Sequence, residues 1–597
     1  MGSAKLLAHH RYPRLARGAL SRVCCLILAD HGPSRADHTV NRPQYSADWG
    51  DYISFSSHMR KKADDEGVDL LLVDTGDRIE GNGLYDASTP KGLFQYDIYA
   101  EQDVDILCTG NHELYQAYSI TREHNTTVPN FKKNYIASNL DYLDPDSGVL
   151  VPQAQRYRRF TTKNRGLDII AFGFIFDFTG NANNSYVQKV EDTVKEKWFQ
   201  DVIRERPDVF VVIGHVGLRM EEFSIIFDAM RKEDWDTPIL FFGGHAHVRD
   251  ALSYDSKSFA MASGRYMETI GWMSVDGVHK RKRGDELSTE ASLKFSRKYM
   301  DNNLYGMHYH TGLNETTFPT KHGQRVSKMI ERARKALQLD SQFGCAPQSY
   351  YMSRAKPGSK DNIYALLQDQ VFPDVVASKK RKDKSRIAIM NSGGIRFDIF
   401  AGPFTRDSTY IVSPFVSKFR YVPDVPYNIA KRVIGILNSG TRILEEAGMP
   451  DTRFMGIPEQ MFSSPHHTFK TDEDDDEGQQ RLELRDLQVP LRDAGEPDLI
   501  GGYTTKDDIG DDGDDTIHQP LDFYHIPNAF QSEINFPENG DPEKVDVVFI
   551  DFIQPWIVPA LKFSGGDYND EDVEEYMDET FTYKLSQWIS ENWKGDC

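Results

Sequence analysis

Four short polar motifs, each beginning with a glycine, hold the side chains best suited to binding metal ions. They are Gly76-Asp77, Gly110-Asn111-His112, Gly214-His215 and Gly244-His245-Ala246-His247. Carboxylate oxygens, amide oxygens and imidazole nitrogens are the donors with which hydrolases hold two divalent ions such as Zn²⁺ or Mn²⁺. Two such ions can stabilise both the attacking and the leaving oxygen of a phosphate ester. The chemistry that this set of donors supports is metal-dependent phosphoester hydrolysis.

The donor atoms suggest a role for each ligand. A carboxylate can bridge two ions, so Asp77 is the natural shared ligand. Asn111 offers its carbonyl oxygen to one ion. His215 and His245 offer imidazole nitrogens, and His247, two residues further along, can reach the second ion. The glycine at the start of each motif fits ligands that are held on tight turns.

His112 is the polar group beside Asn111, and we assign it to the substrate side. There an imidazole can stabilise charge on the transferred phosphoryl group or protonate the leaving oxygen. His112 and Asn111 are therefore the predicted catalytic residues. The alternative is that His112 is a satisfied turn residue without a chemical role.

Five apolar runs, at residues 69–73, 104–108, 167–172, 209–213 and 238–242, alternate with polar stretches compatible with helices. Runs of this length, rich in β-branched residues, predict parallel strands covered on both faces, and hence a layered α/β domain. Four of the runs lead into the four motifs. Ligands collect at the carboxyl ends of parallel strands, so we expect the motifs to converge on one crevice.

The second half of the chain resumes strand-like patterns at residues 386–390 and 545–550. Residues 321–339 have apolar positions at helical spacing, and we expect this helix to join two domains. The polar region 470–519 contains a run of acids at 472–477. Such a run is typical of a solvated loop, with calcium binding as the alternative.

Composition argues against several classes of partner and site. The net charge of −21 works against nucleic acid, and the apolar runs are shorter than the ~20 residues of a membrane span. The five cysteines predict neither a zinc ribbon nor a disulfide framework. Residues 23–29 are interpreted as a first buried strand rather than a signal peptide. Sequons at Asn125, Asn183 and Asn314 would carry glycans if the chain entered the secretory pathway.

The four motifs, in this order, are similar to those of the calcineurin-like metallophosphoesterase superfamily. In the second half, Asn391-Ser392-Gly393-Gly394-Ile395-Arg396 followed by Pro414-Phe415 resembles the substrate-binding domain of the 5'-nucleotidase family, in a divergent fungal-type form. The resemblance implies an α/β fold in which an N-terminal layered α/β metallophosphoesterase domain, residues 45–300, leads into a linker with a helix, residues 301–340. The linker joins it to an α+β C-terminal substrate-binding domain, residues 341–597.

The resemblance also implies the cofactors and the substrate. Two divalent metal ions would lie in the N-terminal domain, and a small nucleotide would lie between the domains. Asn391 and Arg396 would hold its ribose or phosphate, helped by backbone N–H groups of the turn at Gly393. Phe415 would stack on the base, and Asp514 would contact the ribose hydroxyls.

The N-terminal segment departs from the family pattern. The family opens with Asp-x-His-Gly, whereas this chain has Ala29-Asp30-His31-Gly32. Asp30 and His31 are therefore candidate ligands of the first ion with altered spacing. We interpret residues 1–44 as an atypical segment that reflects a faulty gene model or a misjoined exon.

Two further departures concern the substrate and the catalytic histidine. The aromatic residue expected before Asp514 is replaced by Ile509 or an acid. The aspartate that often orients the catalytic histidine is missing, which leaves Glu113 as the acid beside His112.

These features predict dinuclear metal-dependent hydrolysis of a nucleoside 5'-monophosphate or a related nucleotide. A phosphodiesterase or nucleotide-sugar hydrolase with the same metals is one alternative. A non-catalytic nucleotide- or metal-binding protein with a damaged first metal site is the other. The resemblance favours a secretory, vacuolar or extracellular location, and the cytoplasm if this N-terminus is the natural one.

Overall fold

The structure is a computed structural model that describes residues 22–28, 47–280, 293–439, 449–462, 524–595 and 597. The predicted residues Asp30, His31 and Asp514 lie outside these ranges, as does the acidic region 470–519. The other predicted site residues can be placed.

The N-terminal half is built around strands whose carboxyl ends align. The described strands are β1 Arg22–Leu28, β2 Asp69–Asp74, β3 Ile106–Leu107, β4 Leu140–Leu143, β5 Leu150–Pro152, β6 Tyr157–Thr161, β7 Asp168–Ile175, β8 Ser185–Val187, β9 Val209–His215, β10 Ile239–Gly243, β11 Arg249–Leu252, β12 Ser258–Ser263, β13 Thr269–Asp276 and β14 Lys294–Asp301. They form one sheet of order β14-β13-β1-β2-β3, another of order β11-β12-β10-β9-β7-β6, and a small sheet of order β5-β4-β8.

The two large sheets face each other across an apolar core. Val73 and Val275 of the first sheet pack with Val211 and Phe242 of the second, all of them buried. The predicted runs are parallel neighbours, but they divide between two sheets: β1, β2 and β3 in one, β7, β9 and β10 in the other. The layered α/β prediction is confirmed, and residues 23–29 do include a strand, β1, between β13 and β2.

Helices pack on the sheets in both halves of the chain. The described helices of eight or more residues are Trp49–Glu66, Glu221–Glu233, Leu304–Thr311, Lys321–Ala336, Tyr427–Leu437, Gln554–Phe563 and Phe581–Asn592. The shorter ones are Gly83–Asp86, Gln95–Tyr99, Ala117–Arg122, Val128–Phe131, Val190–Thr193, Lys197–Val202, Ile363–Leu366, Phe372–Val375, Arg406–Val412 and Pro458–Phe462. Within the ranges that the structure describes, every helix is too short or too polar to cross a membrane.

The predicted helix at 321–339 runs from Lys321 to Ala336 and packs on the helix Trp49–Glu66. A Cβ on Gly50 would lie 2.3 Å from the carbonyl oxygen of Gly323, so the two backbones touch directly. At its C-terminal end, Arg334 forms a buried ion pair with Asp407 of the C-terminal half. This helix therefore contacts both halves of the chain.

The C-terminal half is an α+β unit. Its described strands are β15 Gln342–Ala346, β16 Arg386–Asn391, β17 Gly402–Thr405, β18 Lys418–Pro426, β19 Ala529–Ile534, β20 Lys544–Ile550 and β21 Glu574–Thr580. The main sheet has the order β19-β16-β20-β18-β21, while β15 pairs with β17. β16 and β20 contain the two predicted runs and are parallel neighbours.

One cysteine prediction is wrong. Cys345 and Cys597 form a disulfide across 252 residues of sequence. They meet because the C-terminal helix Phe581–Asn592 packs against β15, where the Cys345 N–H donates to the Trp593 carbonyl at 2.9 Å. Spacing along the chain could not reveal a pair that only the tertiary fold brings together.

Candidate active site

The predicted residues that the structure describes meet at one cleft between the two halves of the chain. The cleft encloses about 850 Å³. The N-terminal half lines it with Asp77, Asn111, His112, His245 and His247, and the C-terminal half lines it with Asn391, Gly393, Arg396 and Phe415. His215 lies beneath this surface, fully buried at the end of β9.

Two turns, after β2 and β3, are pressed together at the floor of the cleft. Gly76 has φ +97°, and a Cβ there would lie 2.4 Å from the Gly110 nitrogen. The buried carboxylate of Glu113 ties the turns together by accepting N–H groups of Asp77 at 2.9 Å, Arg78 at 2.6 Å and Gly110 at 2.7 Å. Burial raises the pKa of Glu113 to about 6. These turns fix the position of Asp77.

Several site residues have a backbone conformation that is rare for side chains with a Cβ. Asp77 (φ +58°), Glu80 (φ +66°), His245 (φ +70°) and His247 (φ +59°) are all left-handed. Such conformations cost free energy and concentrate at functional sites, where packing enforces them. The fold thus directs these side chains into the cleft at a cost in stability.

A compact set of metal donors is formed by Asp77, His215 and His245, whose candidate ligand atoms all lie within 4.8 Å of one another. The Thr75 carbonyl, which can only accept, lies 2.9 Å from Nδ1 of His215, so Nδ1 carries the proton. Nε2 of His215 therefore faces the Asp77 carboxylate at 3.0 Å. A cation shared by these two atoms would favour such an arrangement.

His245 is held in the neutral form that binds metals. Its ring stacks on Phe176 with centroids 4.2 Å apart. Burial, with a smaller contribution from His215, lowers the pKa of His245 well below its ordinary value. An unprotonated imidazole beside a carboxylate suits ions such as Zn²⁺ or Mn²⁺.

Asn111 presents a buried oxygen to the same region. Its Nδ2 donates to the Tyr115 hydroxyl at 2.9 Å, which fixes the orientation of the amide. Its Oδ1 is buried and accepts no hydrogen bond from the residues that the structure describes. Leaving a buried acceptor unpaired is costly, and a metal ion would satisfy it. The donors present here thus fit a divalent ion.

His112 is oriented by an acid that the sequence did not single out. Its Nδ1 donates to Glu80 at 2.8 Å, and its Nε2 faces the Arg396 guanidinium at 3.2 Å. Burial alone would lower the pKa of His112, but Asp77 and Glu80 together raise it. Glu113, the acid expected beside this histidine, instead accepts backbone N–H groups of the two turns.

His247 lies apart from the three-residue donor set. It is buried, and its ring meets Tyr266 edge-on with centroids 5.4 Å apart. Its assignment to a second ion remains a prediction.

The C-terminal half contributes a basic and aromatic wall. The Arg396 guanidinium lies 5.6 Å from the centre of the Phe415 ring, and that ring stacks near His112 with centroids 6.2 Å apart. The Asn391 amide donates to the Met455 carbonyl at 3.3 Å. A Cβ on Gly393 would lie 2.5 Å from the Gly456 carbonyl oxygen, so only glycine fits there. An anionic group between this wall and the donor set would contact both halves of the chain.

Beneath the turns, Arg78 anchors a buried ionic cluster. Its guanidinium donates to Asp74 at 3.0 Å, to the Cys108 carbonyl at 2.7 Å, and to Glu123. The exposed fractions of these three charged side chains are 6% or less. The cluster links the ends of β2 and β3 to the helices that follow them.

We expect Arg78→Met to destabilise the protein by about 3–5 kcal/mol, because it leaves two carboxylates buried without their cation. Urea unfolding of the full chain measures the loss. The control is Arg325→Met, which removes a guanidinium 59% exposed and paired with Glu101 at 2.6 Å. Surface pairs of this kind contribute about 0–1 kcal/mol. Equal effects of the two substitutions would contradict the anchoring role.

Comparison with known proteins agrees with this geometry. Residues 25–249 match the calcineurin-like phosphoesterase family, and residues 349–558 match the C-terminal domain of NAD nucleotidase. A protein of Arthroderma benhamiae named as secreted is 36% identical over 600 residues, covering 93% of this chain and 88% of that protein. An uncharacterised protein of Schizosaccharomyces pombe is 34% identical over 581 residues, covering 93% of this chain and 89% of that protein.

A solved structure covers both halves together. The crystal structure of a 5'-nucleotidase from Candida albicans is 33% identical and superposes with a TM-score of 0.81, covering 98% of this chain and 100% of that one. The chain therefore belongs to the metal-dependent calcineurin-like phosphoesterases of the two-domain 5'-nucleotidase type, and it is a hydrolase.

Proposed function

We propose that this hydrolase cleaves nucleoside 5'-monophosphates or closely related nucleotides with the help of two divalent ions. The observation that carries the proposal is the approach of Arg396 to within 3.2 Å of His112. This contact supports the proposal because it brings a guanidinium of one half, suited to binding phosphate, against the candidate catalytic group of the other. A guanidinium is well matched to a phosphate because it offers a planar fork of donors.

The residues of the cleft have complementary roles in this proposal. Asp77, Asn111, His215 and His245 hold the ions, and His247 serves the second one. When bound, the ions supply Lewis acidity toward the phosphoryl oxygens and lower the pKa of coordinated water. This chemistry consumes one water and breaks one P–O bond. A nucleoside and inorganic phosphate leave.

His112 acts on the phosphoryl group, and the C-terminal half holds the nucleotide. Glu80 keeps Nδ1 of His112 protonated and turns Nε2 toward the cleft. From there Nε2 can stabilise the phosphoryl oxygens or supply the proton that the leaving oxygen needs. Arg396 and Asn391 bind the phosphate or ribose, and Phe415 offers its face to the base.

A substrate panel tests the proposal. Full-length protein with Mn²⁺ or Zn²⁺ is given adenosine 5'-monophosphate, a nucleotide sugar and bis-p-nitrophenyl phosphate, and phosphate or nitrophenol release is measured. We expect the monophosphate to have the highest kcat/KM. Preference for the diester or the nucleotide sugar would replace the proposal with the corresponding alternative. One bound ion without turnover would favour a binding protein.

We further propose that the chain matures in the secretory pathway. Its disulfide joins Cys345 to Cys597, and the sequon asparagines Asn125, Asn183 and Asn314 are all exposed on the N-terminal half. Disulfides persist in oxidising compartments, and sequon glycans require a solvent-facing asparagine.

This location predicts two covalent features of the protein isolated from its natural source. Peptide mapping without reductant should recover the Cys345–Cys597 peptide pair, and a glycosidase that removes N-glycans should lower the apparent mass. Reduction beforehand is the control for the first result. Free thiols at both cysteines together with an unchanged mass would contradict the location.

A further inference from the structure

Residues 264–268 join β12 to β13 in a strained conformation at the boundary of the two halves. Gly264 has φ +93°, Tyr266 has φ +52° and Met267 has φ +57°. For tyrosine and methionine this region is sparsely populated, and it persists only where the surroundings enforce it. Several of the contacts that hold Arg265 and Tyr266 come from the other half of the chain.

Tyr266 contacts both His247, a candidate metal ligand, and Arg396, the arginine proposed to bind the substrate. Its hydroxyl donates to the Arg396 carbonyl at 2.8 Å, while the Arg396 N–H donates to the Val412 carbonyl at 2.9 Å. Its ring meets His247 with centroids 5.4 Å apart and Phe397 with centroids 5.6 Å apart. The main chain of Arg396 is thus held from both sides, and one of those holds comes from the N-terminal half.

The neighbouring residue fixes the same segment to the cleft. The Arg265 guanidinium lies 4.8 Å from the centre of the Tyr266 ring and forms a buried ion pair with Glu459. Glu459 belongs to the helix Pro458–Phe462, whose first residue lines the cleft. The Tyr266 ring is therefore confined between this cation and Phe397.

We propose that Tyr266 is a positioning residue that determines nucleotide affinity by fixing the Arg396 main chain relative to the metal-binding loop at His247. The inference rests on the proposed function. The Arg396 guanidinium stands at the end of a long side chain, so its reach to a phosphate depends on where that side chain starts. With the hydroxyl removed, the carbonyl of Arg396 loses the donor from the N-terminal half and the guanidinium samples more positions. The nucleotide then binds less tightly.

The test compares Tyr266→Phe with Tyr254→Phe in the full chain. Tyr254 is a matched control because its hydroxyl also donates to a main-chain carbonyl, that of Leu218, at 2.8 Å. Equilibrium dialysis with adenosine 5'-monophosphate in the presence of a chelator measures binding without turnover. We expect Tyr266→Phe to raise the dissociation constant about five- to tenfold, the effect of losing one hydrogen bond, and Tyr254→Phe to change it less than about twofold. With metal supplied, KM should rise by the same factor while kcat stays within about twofold.

A double substitution separates positioning from a general loss of structure. Arg396→Gln keeps the main-chain carbonyl but removes the guanidinium, so adding Tyr266→Phe to it should have no further effect on binding. An equal further loss in that background would overturn the inference, as would wild-type affinity in the single Tyr266→Phe variant. If the wild-type protein neither binds nor hydrolyses the nucleotide, the proposed function fails and the inference falls with it. Wild-type binding with an unaffected Tyr266→Phe refutes the inference alone.

Discussion

Replacing Asp77 with asparagine is expected to lower phosphoester hydrolysis by roughly a thousandfold, equivalent to about 4 kcal/mol of transition-state stabilisation. Asp77 is buried, its Oδ1 accepts the His112 N–H at 2.9 Å, and its Oδ2 faces Nε2 of His215 at 3.0 Å. Asparagine keeps the size and one oxygen but removes the negative charge that, in the proposed function, balances the ions. Elemental analysis after dialysis should show fewer ions per chain than in the wild type.

Asp69→Asn is the matched control for this change. Asp69 is a buried carboxylate on the same strand, β2, but at the opposite end from the cleft, where it accepts the Asn164 N–H at 2.7 Å. Its substitution should leave metal content and turnover within a few-fold of wild type. If Asp77→Asn retains two ions and near-normal turnover, Asp77 is not the shared ligand.

The convergence of the motifs was predictable because it depends on local patterns. Each ligand follows an apolar strand directly, and parallel strands align their carboxyl ends. The register confirms this alignment: Val73 pairs with Ile106 in one sheet, and Gly243 pairs with Gly214 in the other. The division of these strands between two facing sheets was not predictable, because a buried apolar strand has the same sequence pattern in either sheet.

That Glu80 rather than Glu113 orients the His112 imidazole has a clear physical cause. Glu113 is adjacent to His112 in sequence, but its carboxylate already accepts three backbone N–H groups. Glu80 reaches the imidazole instead, through a left-handed backbone three residues after Asp77. A positive φ at a residue other than glycine leaves no mark in a single sequence. The contact between Tyr266 and Arg396 could not be predicted either, because the two residues are 130 positions apart and only the tertiary fold brings them together.

His112→Asn is expected to lower kcat by about 10²–10⁴-fold, the range attributed to a positioned acid or base. The physical reason is that asparagine cannot place a basic nitrogen where Nε2 faces Arg396 at 3.2 Å. Metal content should remain at the wild-type level, because we assign His112 to the substrate and not to the ions. Steady-state kinetics and elemental analysis on the same preparation check both statements. His58→Asn is the control. That imidazole belongs to the helix Trp49–Glu66 and contacts the Phe318 carbonyl at 2.7 Å.

Glu80→Gln extends this prediction to the acid that orients the histidine. Glutamine can still meet Nδ1 of His112 with its amide oxygen, but without the charge that stabilises the protonated ring, and we expect a loss of roughly 10–100-fold in kcat. In a His112→Asn background the same change should leave kcat almost unchanged, because Glu80 acts through the imidazole. A full additional loss in that background would show that Glu80 works independently of His112. Loss of metal from His112→Asn would instead make His112 a ligand.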